Sequence, residues 1–137
     1  MRHLLVRCPV RIAIDFDGVI HDCPGFKAPR VIDGEPIHGA FDWIRARLDA
    51  GDTVTLHTCR LMNNVPHNET SVKEEPIQPR IEAIASWFYD HGGCDIVRHP
   101  RFMWWVHGGK PWADIYIDDK AARFDGTFPD LEGSYEL

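Results

Sequence analysis

The sequence predicts an α/β protein, because short apolar segments alternate with segments whose apolar residues recur at helical spacing. Residues 11–16 (RIAIDF) are an apolar run that ends in carboxylates, a pattern typical of a buried parallel strand. Phe41, Ile44 and Leu48 follow at helical spacing, and the β-branched residues 52–58 (DTVTLHT) predict a second strand. Strands that alternate with amphipathic helices favour a parallel sheet with right-handed crossovers. We therefore expect a doubly wound, Rossmann-like sheet with helices on both faces.

The second half of the chain continues this alternation. Pro79 stands where the first turn of a helix tolerates proline, and Gly92 ends that helix. The apolar stripe between them is formed by Ile81, Ile84, Ala85 and Phe88. Residues 94–97 and 113–117 predict a third and a fourth strand, and residues 99–110 predict an aromatic-rich loop or partial strand between them.

Two segments do not follow the alternation. Residues 20–38 contain three prolines and two glycines, which exclude a long helix and favour a short flap or hairpin. Residues 59–78 form a polar loop of unusual length. A chain of 137 residues buries one core, so we expect a single domain over residues 1–137.

Composition narrows the classes of partner. The net charge of −6 gives no basic face for general duplex DNA binding. No apolar run approaches the roughly 20 residues that cross a membrane. The four cysteines are scattered without a CxxC pair, which is typical of a reducing compartment, so we expect a cytoplasmic protein.

Paired acids follow two of the predicted strands. Asp15 and Asp17 follow the first strand, and Asp118 and Asp119 follow the fourth. If these strands are neighbours where the strand order reverses, the four side chains converge in one crevice. Such a concentration of negative charge raises the pKa values of the acids or demands a cation, and an all-oxygen set selects Mg²⁺. A magnesium site requires the Asp15 and Asp118 carboxylates to lie within about 8 Å. The alternative is that the acids are solvated strand ends.

Four motifs resemble those of the haloacid dehalogenase-like (HAD) phosphatases. The DFDGVI motif at residues 15–20 resembles the first motif, and TLHT, ending at Thr58, resembles the second. Lys110 resembles the third, and IYIDD, ending at Asp118 and Asp119, resembles the fourth. The DxD pattern alone also occurs in metal-dependent sugar transferases, but here all four motifs occur in the family's order. The KPWADIYIDDKA segment is similar to small members with almost no cap domain.

The resemblance implies a Mg²⁺-dependent phosphatase that hydrolyses a phosphomonoester through an aspartyl-phosphate. Asp15 would attack phosphorus, and Asp17 would protonate the leaving oxygen and later accept a proton from water. Thr58 would hydrogen-bond a phosphoryl oxygen, and Lys110 would neutralise its charge. The metal ligands would be Asp15, Asp17, Asp118 and Asp119.

Gly18 and Arg60 are candidate substrate contacts. Gly18 follows the acids where the chain must turn sharply, which a residue without a β-carbon allows. Arg60 lies two residues after Thr58 and could hold a second phosphate or a carboxylate, with surface solvation as an equal alternative. We expect His57 to pack or cap, because Asp17 already takes the acid and base role.

The substrate class depends on what covers the site. The insertion at residues 20–38 is shorter than the caps common in this family, so we expect an open site. An open site favours the phosphorylated end of a larger molecule. A small phosphorylated metabolite is the alternative if a homo-oligomer closes the site with residues 59–78 or the Trp-rich loop of a neighbour. A phosphotransferase and a non-catalytic module that binds phosphate or Mg²⁺ also stay open.

Overall fold

A four-stranded parallel sheet forms the centre of the computed structural model, which describes residues 7–62 and 76–131. The strands are β1 (Arg11–Ile14), β2 (Thr53–Leu56), β3 (Phe102–Trp104) and β4 (Ile115–Ile117). They lie in the order β3-β2-β1-β4. The chain moves outward from β1 to β3 and returns to β4 on the other side of β1. The predicted parallel sheet, with the first and fourth strands as neighbours, is confirmed.

The described helices pack against one another. They are α1 (Ala40–Asp49), α2 (Ile77–Asp90) and α3 (Cys94–Val97), and a single 3₁₀ turn covers Cys59–Leu61. Phe41 of α1 stacks on Phe88 of α2, with 5.2 Å between the ring centroids, and packs edge-to-face against Trp87. The predicted stripe of Phe41, Ile44 and Leu48 is buried on α1, as expected. Within the described ranges all three helices contact one another. The predicted second layer of helix, on the other face of the sheet, stays a prediction.

Alternate strand residues divide the sheet into a covered and an open face. Ile12, Ile14, Val54 and Leu56 are buried in the core with residues of the three helices. The opposite row runs across Met103, Thr55, Ala13 and Tyr116. Met103 and Tyr116 are 52% and 40% exposed, so this second face is only partly covered. The polar residues that follow the strands emerge at one edge of this sheet.

The predicted third strand at residues 94–97 is wrong. These residues form α3, in which the backbone N–H groups of Ile96 and Val97 donate to the carbonyl of Gly93. The guanidinium of Arg45 holds both carboxylate oxygens of Asp95, at 2.8 and 3.0 Å. Burial of Ile96 and this ion pair outweigh the β propensity of Ile96 and Val97. The third strand is β3, inside the predicted aromatic-rich segment at residues 99–110.

The structure confirms the flap at residues 20–38 as a short hairpin without helix. Asp22 N–H donates to the Glu35 carbonyl, and Ile37 N–H donates to the Ile20 carbonyl, each at 2.8 Å. The predicted polar loop at residues 59–78 begins with the 3₁₀ turn and ends in the first residues of α2, and residues 63–75 lie outside the described part. No helix among the described residues combines the length and apolar content needed to cross a bilayer.

Candidate functional site

Three acids converge at the carboxyl ends of two neighbouring strands, the central strand β1 and the edge strand β4. Asp15 follows β1, and Asp118 and Asp119 follow the neighbouring β4. The backbone N–H of Asp15 donates to the Ile117 carbonyl at 2.9 Å, which extends the parallel pairing to the first acid. One carboxylate oxygen from each acid lies within 4.8 Å of the others. The distance required of Asp15 and Asp118 for a magnesium site is therefore met.

Asp15 differs from its two partners in burial. It is half-buried, whereas Asp118 and Asp119 are exposed. Burial, and then the negative charges of the neighbouring acids, raises the pKa of Asp15 to about 7, although the Phe16 N–H opposes this. One oxygen of Asp118 also accepts a hydrogen bond from the backbone N–H of Lys120 at 2.7 Å. Asp15 is thus a carboxylate whose charge a nearby cation would stabilise.

The donor set fits a hard divalent cation. Asp15, Asp118 and Asp119 offer only carboxylate oxygens, which suit Mg²⁺ better than a softer metal. Mg²⁺ keeps several waters and uses few protein ligands, and the exposed carboxylates of Asp118 and Asp119 leave room for water. These three residues are the ones that could hold the metal.

Asp17 lies outside this cluster. Its carboxylate accepts hydrogen bonds from Nε and Nη2 of Arg60 at 2.7 and 2.9 Å. The Nδ1 atom of His21 lies 2.8 Å from the same carboxylate. The ligand group that contains Asp17 is a different one, formed with His21 and Cys23. The structure therefore does not bring the Asp17 carboxylate into the cluster of three acids, and Asp17 as a metal ligand stays a prediction.

The contacts of Asp17 keep it ionised. Burial alone would raise the pKa of Asp17, but the hydrogen bonds from Arg60 and His21 outweigh burial and lower it. Because the Gly34 N–H donates to Nε2 of His21 at 2.9 Å, Nδ1 is the ring nitrogen that donates to Asp17. His21 is fully buried and was not singled out from the sequence. Its spacing four residues after Asp17 was the available signal.

Arg60 is not a surface residue. Its side chain is only 1% exposed, and its Nη1 donates to the carbonyls of Ala28, Pro29 and Val31 at 3.0 to 3.2 Å. Because its other nitrogens bind Asp17, all three guanidinium nitrogens have acceptors inside the protein. The predicted direct contact between Arg60 and substrate is therefore corrected.

Thr58 and Lys110 occupy different surroundings. Thr58 is 2% exposed, and its hydroxyl oxygen accepts from the Arg60 N–H at 3.2 Å, which caps the 3₁₀ turn. Its hydroxyl proton stays available for another acceptor. The ammonium of Lys110 lies over the ring of Tyr116, 4.2 Å from its centroid. No ion pair joins Lys110 to the acid cluster, whose members all belong to the described residues, so its role stays a prediction.

His57 lies beside the acids, and sequence reasoning assigned it only packing or capping. Its N–H donates to the Ile14 carbonyl at 2.8 Å, one residue beyond β2. Burial lowers the pKa of His57, and the charge of Asp118 partly opposes this effect. Its Nε2 is buried without a hydrogen-bond partner in the described part of the chain. His57 is therefore a neutral ring within electrostatic range of the acid cluster.

Gly18 allows the first loop to approach Asp119, and replacing it with alanine should disturb the acids. Its φ of +84° confirms the predicted sharp turn, and an added Cβ would lie 2.1 Å from Oδ2 of Asp119. We expect Gly18→Ala to lower the free energy of unfolding by about 1–2 kcal/mol, mainly from backbone strain, because the exposed Asp119 carboxylate can move away from the added Cβ. We also expect weaker Mg²⁺ binding. Urea unfolding and calorimetric titration with Mg²⁺ measure both effects.

Gly109→Ala is the matched control for this substitution. Gly109 has the same φ of +84°, but an added Cβ would meet nothing within 4 Å. The control should therefore lose only the cost of a left-handed backbone, about 1 kcal/mol, and keep Mg²⁺ binding. Equal losses of stability and unchanged Mg²⁺ binding in both variants would contradict a close packing of Gly18 on Asp119.

The fold and this geometry define a class of protein. The chain is an α/β protein whose parallel sheet carries three converging acids at the carboxyl ends of neighbouring strands. No family model, curated protein or solved structure matches the chain.

Proposed function

We propose that this chain is a Mg²⁺-dependent phosphatase of the HAD type, on a doubly wound sheet, that hydrolyses a phosphomonoester through an aspartyl-phosphate. The observation that carries the proposal is the convergence of Asp15 with Asp118 and Asp119 within 4.8 Å. Asp15 follows one strand, and Asp118 and Asp119 follow another strand about a hundred residues later in the chain. They meet at the point where the strand order reverses. Ligands of open α/β sheets bind at such points.

Asp15 is the proposed nucleophile. Its carboxylate would attack phosphorus, form a P–O bond and expel the substrate alcohol, and water would then hydrolyse the acyl phosphate. Asp15, Asp118 and Asp119 would hold Mg²⁺. When bound, the ion neutralises phosphoryl charge and lowers the repulsion between the Asp15 carboxylate and the substrate phosphate. Half-burial of Asp15 strengthens these electrostatic effects, since the surroundings are less polar than water.

Asp17, Thr58 and Lys110 would serve the same reaction. The ionised Asp17 suits the base that takes a proton from the hydrolytic water. A bound phosphate dianion would raise the pKa of Asp17 by repulsion, which favours the proton donor needed for the leaving oxygen. The hydroxyl proton of Thr58 would be donated to a phosphoryl oxygen. Lys110 would exchange a weak contact with Tyr116 for the phosphoryl charge, because an exposed cation–π pair contributes only about 0.5–1 kcal/mol.

The proposed substrate is the phosphorylated end of a larger molecule. Asp118 and Asp119 are exposed, and the flap at residues 20–38 is held against the core by Arg60 and His21. A small phosphorylated metabolite is the substrate if a homo-oligomer covers the site. We also propose a cytoplasmic location, because the four cysteines are free and free thiols are typical of a reducing compartment.

Phosphate release from para-nitrophenyl phosphate tests the proposed function. The wild-type chain should release phosphate with Mg²⁺ and lose this activity when EDTA removes the metal. Added glycerol distinguishes a phosphotransferase, which would form glycerol phosphate in place of free phosphate. Binding of phosphorylated ligands without release, across aryl phosphates, metabolites and oligonucleotide ends, would contradict the phosphatase and support a binding module.

A further inference from the structure

The buried guanidinium of Arg60 joins two parts of the proposed site. Its Nε and Nη2 donate to the two oxygens of Asp17 at 2.7 and 2.9 Å. This two-bond geometry fixes the plane and the rotation of the carboxylate, which a single hydrogen bond does not. At 1% exposure, Arg60 loses its water and depends on these acceptors.

The third nitrogen of Arg60 fixes the flap at residues 20–38. The carbonyls of Ala28, Pro29 and Val31 all accept from Nη1, so the flap turns its backbone toward the same guanidinium. The ring of Phe26 also lies 4.9 Å from the guanidinium carbon. The position of Asp17 and the shape of the flap therefore depend on one side chain.

His21 holds the same carboxylate from a second direction. Its Nδ1 lies 2.8 Å from Oδ1 of Asp17, and its Nε2 accepts from the Gly34 N–H. The ring stacks on Phe16 with 5.2 Å between centroids and lies edge-to-face against Trp87. Gly34 is itself held by Trp87, whose indole N–H donates to the Gly34 carbonyl at 2.9 Å. The second hold on Asp17 is therefore also built into the core.

We infer that Arg60 and His21 are positioning residues, which orient the carboxylate of Asp17 toward the leaving oxygen of the substrate. The inference rests on the proposed phosphatase function. Both side chains are buried, so neither acts on substrate directly. Loss of the two hydrogen bonds from Arg60 leaves the Asp17 carboxylate with the single contact from His21 and free to rotate. Loss of His21 leaves the Arg60 pair in place and loosens the carboxylate less. The resulting loss of rate is greatest for substrates whose leaving oxygen must be protonated.

Two substrates with different leaving groups test this inference. Benzyl phosphate needs a proton on its leaving alcohol, whereas para-nitrophenyl phosphate releases a stabilised phenolate. The kcat/KM value covers the steps through departure of the leaving group. In Arg60→Lys, whose ammonium cannot make the two-bond contact, kcat/KM should fall about 100-fold for benzyl phosphate and about threefold for para-nitrophenyl phosphate. In the Asp17→Asn background, Arg60→Lys should have no further effect on benzyl phosphate.

A second variant and a matched control complete the experiment. His21→Phe keeps an aromatic ring between Phe16 and Trp87 but removes the donor to Asp17. It should show a selective loss on benzyl phosphate that is smaller than in Arg60→Lys, because the two hydrogen bonds from Arg60 remain. Arg45→Lys is the control, because Arg45 makes the same two-bond contact with Asp95 away from the acids, and it should leave both substrates unchanged. Circular dichroism checks that each variant is folded.

Each outcome decides the inference. A selective loss on benzyl phosphate in either folded variant supports it. Equal losses on both substrates, or unfolding of both Arg60→Lys and His21→Phe, would overturn it and assign the two residues a purely structural role. A wild-type chain that hydrolyses neither substrate would overturn the proposed phosphatase itself, and this inference with it.

Discussion

Asp15→Asn should reduce phosphate release from para-nitrophenyl phosphate by about 10,000-fold or more, because an amide cannot form the acyl phosphate. The substitution leaves the side-chain volume almost unchanged, and it removes a half-buried charge that lies near two other acids. The fold should therefore persist, with a free energy of unfolding equal to or above that of the wild type at pH 8. Phosphate release and urea unfolding of the same preparation give both quantities.

A charge-matched control separates the nucleophile from a general effect of charge. Asp42 lies on α1 with its side chain 88% exposed, and Asp42→Asn removes one negative charge away from the acid cluster. This variant should keep wild-type activity. Retained activity in folded Asp15→Asn would refute the aspartyl-phosphate mechanism, whatever the role of the metal.

The sheet and its acid cluster were predictable because they depend on local pattern and topology. Apolar runs that end in acids predict strands with carboxylates at their carboxyl ends, and parallel neighbours bring those ends together. The Asp15, Asp118 and Asp119 cluster follows from these two facts. The prediction at residues 94–97 was wrong because a segment this short, with apolar Ile96 and Val97 at its end, fits a strand as well as a buried helical turn.

Long-range polar contacts were not predictable from one sequence. Arg60 lies 43 residues from Asp17, and nothing in the spacing shows that its guanidinium is buried against the flap. The expectation for Asp17 came from its place in the DxD motif, which fixes the backbone but not the direction of the side chain. A motif therefore locates residues near a site, and packing decides which atoms face the ligand.

Asp15 should make the free protein less stable as pH rises from 4 to 8, and Mg²⁺ should reverse part of this loss. The pKa of Asp15 is about 7 in the folded chain against 3.8 for the unperturbed carboxyl. Between these values Asp15 is protonated more often in the folded chain than in the unfolded chain. Its contribution to the free energy of unfolding therefore decreases as pH rises and levels off above pH 7. Asp15 is half-buried, so solvent screening reduces the effect, and we expect Asp15 to lower the free energy of unfolding by about 2 kcal/mol over this range.

Urea unfolding of wild type and Asp15→Asn at pH 5 and pH 8 isolates this contribution, since other groups titrate in both proteins. Mg²⁺ at about ten times its Kd should add about 1.4 kcal/mol at pH 8, where Asp15 is ionised, and less at pH 5. Asp118→Asn should lose most of the Mg²⁺ response, with NaCl at equal ionic strength as the control for screening. If Mg²⁺ stabilised wild type and Asp118→Asn equally, the ion would bind elsewhere, and Asp15, Asp118 and Asp119 would be three acids without a metal.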